Sequence, residues 1–418
     1  MEKTRTKKQS SVLILGINFS PELTGIGKYT GEMAKWLADN GINTTVVTSF
    51  PYYPNWKVQK PYSGKWFKKE IYTDGALTVY RCPMYVPEVP SGLKRMLHEA
   101  NFFMSATCVV FRLFFKPKIE NIICIAPPFH LGFLALLYRF VKGGRINYHI
   151  QDLQIEAARD LKVVKSEGFF KLLFGLEKFI FNRVNSISSI SLGMMRKISA
   201  KSGKSTILFP NWVDTKSFHP LDNRHKLKAN WGFKIEDKIV LYSGSIGEKQ
   251  GLDALVDIAL DCQSRQDIQI VICGTGPYKS NLEQICKNKN VRNVHFLPLQ
   301  EFNVFNAFLN MADVHLVLQK AQAADLVMPS KLSTILSAGG LVIATAFAGT
   351  SLYDEIVGNK MGIVIDPENN ELLKEAIITA CTNDFSKERS NARLYAERYL
   401  DQEAILVAMK LEVLGIKK

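Results

Sequence analysis

At 418 residues the chain is longer than one hydrophobic core ordinarily serves, so two domains of roughly 200 residues each are expected. Its 47% hydrophobic and 22% charged residues exclude a disordered chain. The net charge of +14 is confined to one half, since residues 1–210 hold 30 Lys and Arg against 14 Asp and Glu while the rest hold 23 against 25. An anionic partner for the first half is therefore expected, and the absence of any module interleaving basic residues with exposed aromatics excludes nucleic acid.

Met1 to Ser10 is basic and polar and runs into the strand-like Val12 to Leu15, too short for a signal-peptide core, so no secretion is implied. Strands are predicted at Ser11 to Gly16, Thr44 to Ser49, Leu77 to Arg81, Ile122 to Ile125, Ile146 to Ile150, Ser186 to Ser189 and Thr206 to Phe209, with helices between them. The first of these leads into Pro21 to Lys28, whose Gly25 and Gly27 precede a helix predicted over Tyr29 to Asp39. Glycines there admit either backbone donors for an anion or an ordinary tight turn. His149 and Asp152 close the Ile146 to Ile150 strand, with Glu156 and Asp160 beyond, and His149 reads as a proton acceptor, a donor to a sugar hydroxyl, or a structural strand residue.

The apolar stretches Ala106 to Phe115 and Leu131 to Val141 are interrupted by Arg112 and Arg139 and fall short of the ~20 residues of a membrane span. Within Leu93 to Lys118, apolar residues accompany Lys94, Arg95, Arg112, Lys116 and Lys118, as in a helix lying on an anionic membrane surface or an ordinary core helix.

Pro210, Asn211, Trp212, Val213 and Asp214 open a turn-rich segment ending at Phe218 and Pro220, the expected linker. Beyond it the alternation restarts, with strands predicted at Ile239 to Gly244, Ile268 to Cys273, Val294 to Leu297, His315 to Leu318, Leu341 to Thr345 and Gly362 to Ile365. Helices are predicted at Leu252 to Arg265, Tyr278 to Asn288, Ser330 to Ala338 and Asn391 to Gly415. The loop of Gly244, Ser245, Gly247, Lys249, Gln250 and Gly251 repeats the strand, glycine turn and helix of the first half, as a diphosphate site requires. Gly274 and Gly276 form a further such turn, and Met328, Pro329, Ser330, Lys331 and Leu332 open a helix with Ser330 as its N-cap and Lys331 placed for a phosphate.

The seven cysteines, Cys82, Cys108, Cys124, Cys262, Cys273, Cys286 and Cys381, are odd in number and without CxxC spacing, which reads as reduced core residues of a cytosolic protein. No P-loop, GxSxG, zinc spacing or Asp-x-Asp pair is present. No metal is expected, and lysines and helix N-termini would neutralise a diphosphate.

These motifs, in this order and spacing over nearly the whole chain, resemble the retaining glycosyltransferases of family four, with the α/β GT-B fold of two Rossmann-like, doubly wound parallel-sheet domains facing across a cleft. The strings GINFSPELTGIGKYTGEM, HIQDLQIEA, FPNW, YSGSIGEKQGL and MPSKL look closest to its colanic-acid branch, which acts in exopolysaccharide assembly. The resemblance implies an acceptor domain over 1–209, a linker over 210–220 and a nucleotide-sugar domain over 221–390, with a helix over 391–418 packing back on the first. It implies that Lys249 and Lys331 contact the diphosphate, that Ser330 to Leu332 offer amides, that Leu297, Pro298 and Leu299 lie beside the base, and that Gly274 and Gly276 flank the nucleotide.

Three departures from the family pattern stand out. Ser245 replaces an arginine, Gln250 and Gly251 replace Lys-Gly with Lys249 one place early, and Thr334 takes the place of the second glutamate of a pair that commonly meets the ribose. Either His149 or Gln151 takes the family's histidine position. The expected reaction moves a hexosyl group, L-fucose or mannose from a GDP-sugar, to a lipid-diphosphate-linked saccharide, with retention by front-face displacement, in the cytoplasm at the inner face of the plasma membrane. A UDP-sugar transferase and a non-transferring 2-epimerase of the same fold are the alternatives.

Overall fold

The computed structural model describes residues 10–22, 25–160, 166–321 and 329–416, with the backbone alone for Ala157, Asp160 and Lys249. The chain divides into two units, Met1–Pro210 with Leu406–Lys418, and Asn211–Ile405.

The first unit is built on eight strands: β1 (Ser11–Leu15), β2 (Asn43–Ser49), β3 (Lys68–Tyr72), β4 (Leu77–Cys82), β5 (Asn121–Ala126), β6 (Arg145–Ile150), β7 (Ser186–Ser189) and β8 (Ile207–Leu208). Their order is β3-β4-β2-β1-β5-β6-β7-β8. All neighbours are parallel except β3 and β4, which run antiparallel with Lys68 opposite Arg81. Helices cover both faces, so β5 is buried along its whole length and reads as an apolar run from Ile122 to Ala126.

The strand that the sequence pattern misses is β3. Its single inward side chain is a charge, Glu70, which accepts from Arg81 Nε at 2.5 Å and Lys68 Nζ at 2.6 Å. Without apolar alternation it lacks the usual signature of a strand. The first helix starts at Gly25, earlier than expected, so Gly25 and Gly27 lie in its first turn.

The second unit holds six parallel strands, β9 (Lys238–Ser243), β10 (Ile268–Cys273), β11 (Val294–Leu297), β12 (Val314–Val317), β13 (Val342–Thr345) and β14 (Gly362–Ile365), in the order β11-β10-β9-β12-β13-β14. Alternate residues enter two layers: Ile239, Leu241 and Val271 pack on one face, Val240, Tyr242, Ile270 and Ile272 on the other.

Residues 211–218, in the expected linker, are built into this unit. Val213 N–H donates to the Leu400 carbonyl at 2.8 Å, Gln402 N–H to the Val213 carbonyl at 3.0 Å, and Phe218 is buried. The helix expected over 391–418 is two helices, Ser386–Tyr399 and Gln402–Glu412, and the first packs Ala392 and Ala396 into the second unit's core. Six of the seven cysteines are buried and Cys108 is exposed. Among the described residues no helix is long and apolar enough to cross a membrane.

Candidate functional site

Ligands of open parallel sheets collect beyond the carboxyl ends of the strands, where the strand order reverses. In the second unit that point lies between β9 and β12. The turn after β9 runs through Gly244, exposed Ser245, Ile246 and Gly247 into a short 3-10 helix, Glu248–Gln250. It is laced to the turn after β10: Gly244 N–H donates to the Cys273 carbonyl at 2.9 Å, Ile246 N–H to the Thr275 carbonyl at 2.9 Å, and Tyr278 N–H to the Ile246 carbonyl at 3.2 Å.

A Cβ on Gly274 would lie 1.9 Å from the Gly244 carbonyl oxygen, and one on Gly276 2.1 Å from that of Ile246. Both glycines thus permit backbone to pack on backbone and hold the first turn in place. Leu297 accepts from Gly274 N–H at 3.4 Å and Pro298 from Cys273 Sγ at 3.1 Å, while Leu299 projects into solvent.

Lys331 reaches this surface from the start of the helix Lys331–Ser337. Its ammonium donates to the Leu316 carbonyl at 3.1 Å and lies 3.7 Å from the centroid of the Tyr242 ring, beside Gly244. Burial lowers its pKa to about 7. The Tyr242 hydroxyl donates to the Ser245 carbonyl at 2.7 Å. A weakly held ammonium beside a glycine turn is suited to a diphosphate, which would restore its full charge.

The structure corrects other expectations for this helix. Ser330 is exposed, with helical backbone and no capping bond from its side chain, so it is not the expected N-cap. The Leu332 amide donates to the Pro329 carbonyl at 3.0 Å and the Leu332 side chain enters the core, so this residue is not an anion donor. Thr334 is buried. Met328 lies outside the described residues, as does the side chain of Lys249.

Sequence reasoning missed Tyr242, which reads as core, and Lys320, whose stem would lie 3.5 Å from a Cβ on Gly251. A basic residue just past β12 was the available signal. Among the described residues no three His, Cys, Asp or Glu side chains are grouped as a metal ion needs.

In the first unit the order reverses between β1 and β5. Here Glu22 is buried and accepts from the amides of Tyr52 and Tyr53, both at 3.1 Å, and from Asn18 Nδ2 at 2.9 Å. A Cβ on Gly27 would lie 2.3 Å from Glu22 Oε2. The glycine therefore makes room for the Glu22 carboxyl, as in the ordinary tight turn that was one of the two readings of Gly25 and Gly27. His149, which admitted a catalytic or a structural reading, is held by its neighbours. It is buried, its Nδ1 lies 3.0 Å from Ser188 Oγ, its ring packs on Phe209 at 4.7 Å, and burial lowers its pKa to about 3. Gln151 is likewise buried, and Asp152 is half-buried. Glu99, His130 and Gln154, none of them singled out by the sequence, meet at the carboxyl ends of β5 and β6.

The family description "Glycosyl transferases group 1" matches residues 223–399. The chain is 40% identical over 405 residues, 94% of its length and 97% of the relative's, to a protein of Escherichia coli K12 named as colanic acid biosynthesis glycosyl transferase WcaI. It is 26% identical over 216 residues, 50% of this chain and 52% of the relative, to a GDP-mannose-dependent alpha-(1-6)-phosphatidylinositol dimannoside mannosyltransferase of Mycobacterium tuberculosis. Anabaena HepE in complex with UDP superposes with a TM-score of 0.71 at 14% identity, over 97% of this chain and all of that one.

Proposed function

Because this chain belongs to the group 1 glycosyl transferases and has their GT-B fold, we propose that its second unit holds the diphosphate of a nucleotide sugar at the turn after β9 and hands the hexosyl group on with retention. The observation that carries this reading is the part-buried Lys331, its ammonium on the Tyr242 ring beside Gly244. As the bond from the anomeric carbon to the diphosphate oxygen breaks, negative charge grows on the diphosphate. Lys331 answers it from a preorganised, desolvated position. The acceptor hydroxyl attacks from the same face and gives its proton to the departing diphosphate, so neither a carboxylate nucleophile nor a metal ion is part of the proposal.

The likeness to WcaI supports exopolysaccharide assembly of the colanic-acid kind, with a lipid-diphosphate-linked saccharide as acceptor at the cytoplasmic face of the membrane. GDP-fucose or GDP-mannose is the proposed donor, the GDP-mannose dependence in the mycobacterial relative's name lending support.

The helix Gly92–Leu113 lends support to a membrane contact. One face of it enters the core through Phe102, Ala106 and Val110, while Leu93, Leu97, Met104 and Phe111, with Phe115 just beyond, are exposed along the other. Lys94, Arg112 and Lys116 flank this outer stripe and are exposed too. Arg95 does not belong to it, since its guanidinium lies over the Trp56 ring at 5.1 Å. We propose that the stripe lies in the headgroup region of an anionic bilayer.

The deciding assay follows nucleoside diphosphate release and product formation from GDP-fucose, GDP-mannose and UDP-sugars, with and without a lipid-linked acceptor, in buffer and in excess EDTA. Release that needs the acceptor and survives EDTA is expected. Donor isomerisation without acceptor replaces the transferase by an epimerase, and abolition by EDTA with rescue by manganese ends the metal-free reading.

A further inference from the structure

We propose that Glu99 is a positioning residue for the acceptor edge of the first unit, acting through Gln154 on the backbone of Phe129 and on the adjoining His130. The proposal rests on the transferase reading above.

Glu99 stands on the helix Gly92–Leu113, and both its carboxylate oxygens accept from Gln154 Nε2, at 2.7 and 2.9 Å. With that amide nitrogen turned to Glu99, Gln154 Oε1 faces the other way and accepts from Phe129 N–H at 3.3 Å. The Phe129 carbonyl accepts from the Tyr148 hydroxyl at 2.8 Å. His130 Nε2 lies 3.4 Å from the main-chain carbonyl oxygen of Glu99, and the His130 ring packs against Phe103 and Phe129 at 5.3 and 5.6 Å. The segment from Pro127 to His130 is thus tied to two helices and to β6, directly beyond the carboxyl end of β5, at the reversal of strand order where a substrate is expected.

The choice of a carboxylate at position 99 has a physical consequence. A side-chain amide both donates and accepts, so an amide here would satisfy Gln154 in either of its two orientations. A carboxylate only accepts, and leaves Gln154 one orientation. Protonating Glu99 supplies a donor and removes the constraint. Burial raises this carboxyl's pKa to about 7, against the lowering effect of the Gln154 bond and of Arg95 one turn earlier on the same helix. Tyr52 and His130 are the titratable groups facing it from neighbouring segments, and both are neutral at that pH, since burial raises the tyrosine's pKa and lowers the histidine's. The lock is therefore closed above about pH 7 and opens below it.

Two measurements test this on the full chain. In protein labelled with 15N-phenylalanine, with Phe129 assigned through a Phe129→Leu variant, the Phe129 amide resonance should titrate with a midpoint near pH 7 in the wild type and stay flat in Glu99→Gln and Gln154→Ala. With saturating donor, kcat/KM for the acceptor should fall about tenfold from pH 8 to pH 6 in the wild type, and remain at the low value throughout in Glu99→Gln, with nucleoside diphosphate affinity unchanged. A merely structural Glu99 would lower activity without flattening the profile. A Phe129 resonance that does not titrate in the wild type, or a Glu99→Gln variant with wild-type acceptor kinetics at pH 8, overturns the proposal. If no sugar is transferred from any donor, the transferase reading falls, while the Phe129 titration still decides whether Glu99 locks the segment.

Discussion

The Lys331 ammonium lies 3.7 Å from the centroid of the Tyr242 ring, while the hydroxyl of that tyrosine donates to the Ser245 carbonyl at 2.7 Å. One aromatic side chain thus orients the cation with its face and the glycine turn with its edge. Lys331→Met should cost about 2 to 4 kcal/mol of transition-state stabilisation, roughly 30- to 900-fold in kcat/KM for the donor. Tyr242→Phe keeps the cation's platform but frees the turn, so a smaller loss, seen mainly in KM, is expected. Wild-type kcat/KM in Lys331→Met would show that the diphosphate sits elsewhere.

The same lysine links donor binding to pH. In the free protein it titrates at about 7, and a bound diphosphate favours its charged form. Binding therefore takes up a proton once the pH exceeds about 7, and the dissociation constant for GDP should rise by up to about tenfold per unit above that. Calorimetry in buffers of different ionisation enthalpy reads the proton directly, and Lys331→Met should show no uptake.

Gly274→Ala places a methyl group against the Gly244 carbonyl, where no side chain is available to give way. A destabilisation of about 1 to 3 kcal/mol is expected, together with weaker GDP binding. Thermal unfolding and a GDP titration check the two effects separately. Unchanged affinity in a destabilised protein would confine the glycine to packing.

His149 and His315 are buried with pKa values lowered to about 3, against about 6.5 in an unfolded chain. Each leaves the unfolded state holding more protons between those values, so each makes stability fall as the pH drops below 6.5. Glu22 and Glu99, raised by burial, act in the opposite sense, so the wild type must be compared with a variant. The stability advantage over His149→Gln should shrink by about 1.4 kcal/mol per pH unit below 6.5. Urea midpoints at pH 7.5, 6.0 and 5.0 measure it, and a constant gap would mean that His149 ionises freely.

Charge reversal at Lys94, Arg112 and Lys116 should weaken cosedimentation with anionic liposomes by about 1 kcal/mol per residue at low salt. Reversal at Arg95, turned to Trp56, should do less. Equal binding to neutral and anionic vesicles would remove the headgroup contact from the proposal.

What the sequence made legible follows from local pattern. Strands such as β5 and β10 are apolar from Ile122 to Ala126 and from Ile270 to Cys273 because helices cover both faces, and the glycine turns after β9 and β10 announce themselves by composition. Roles created by partners distant in the chain were hidden. Tyr242 is one more apolar residue until Lys331 is placed over it, and Glu99 and Gln154 meet across 55 residues. For His149 the partners are distant too: Ser188 on β7 and Phe209 hold a ring that the sequence shows only as a polar residue near a strand end.

The charge that hid β3 has a further effect. An outermost strand offers an unsatisfied row of amides and carbonyls to any passing chain, and a flat apolar one invites self-association. Here Glu70 is anchored inward by Arg81, and Lys68 and Lys69 stand beside it. Ile71 and Tyr72 on the same strand are exposed, so a second copy laid along this border would find apolar contact only by desolvating Lys69 and the Lys68–Glu70 pair. The wide sheet therefore ends in a margin whose charges must be stripped of water before the sheet can be extended.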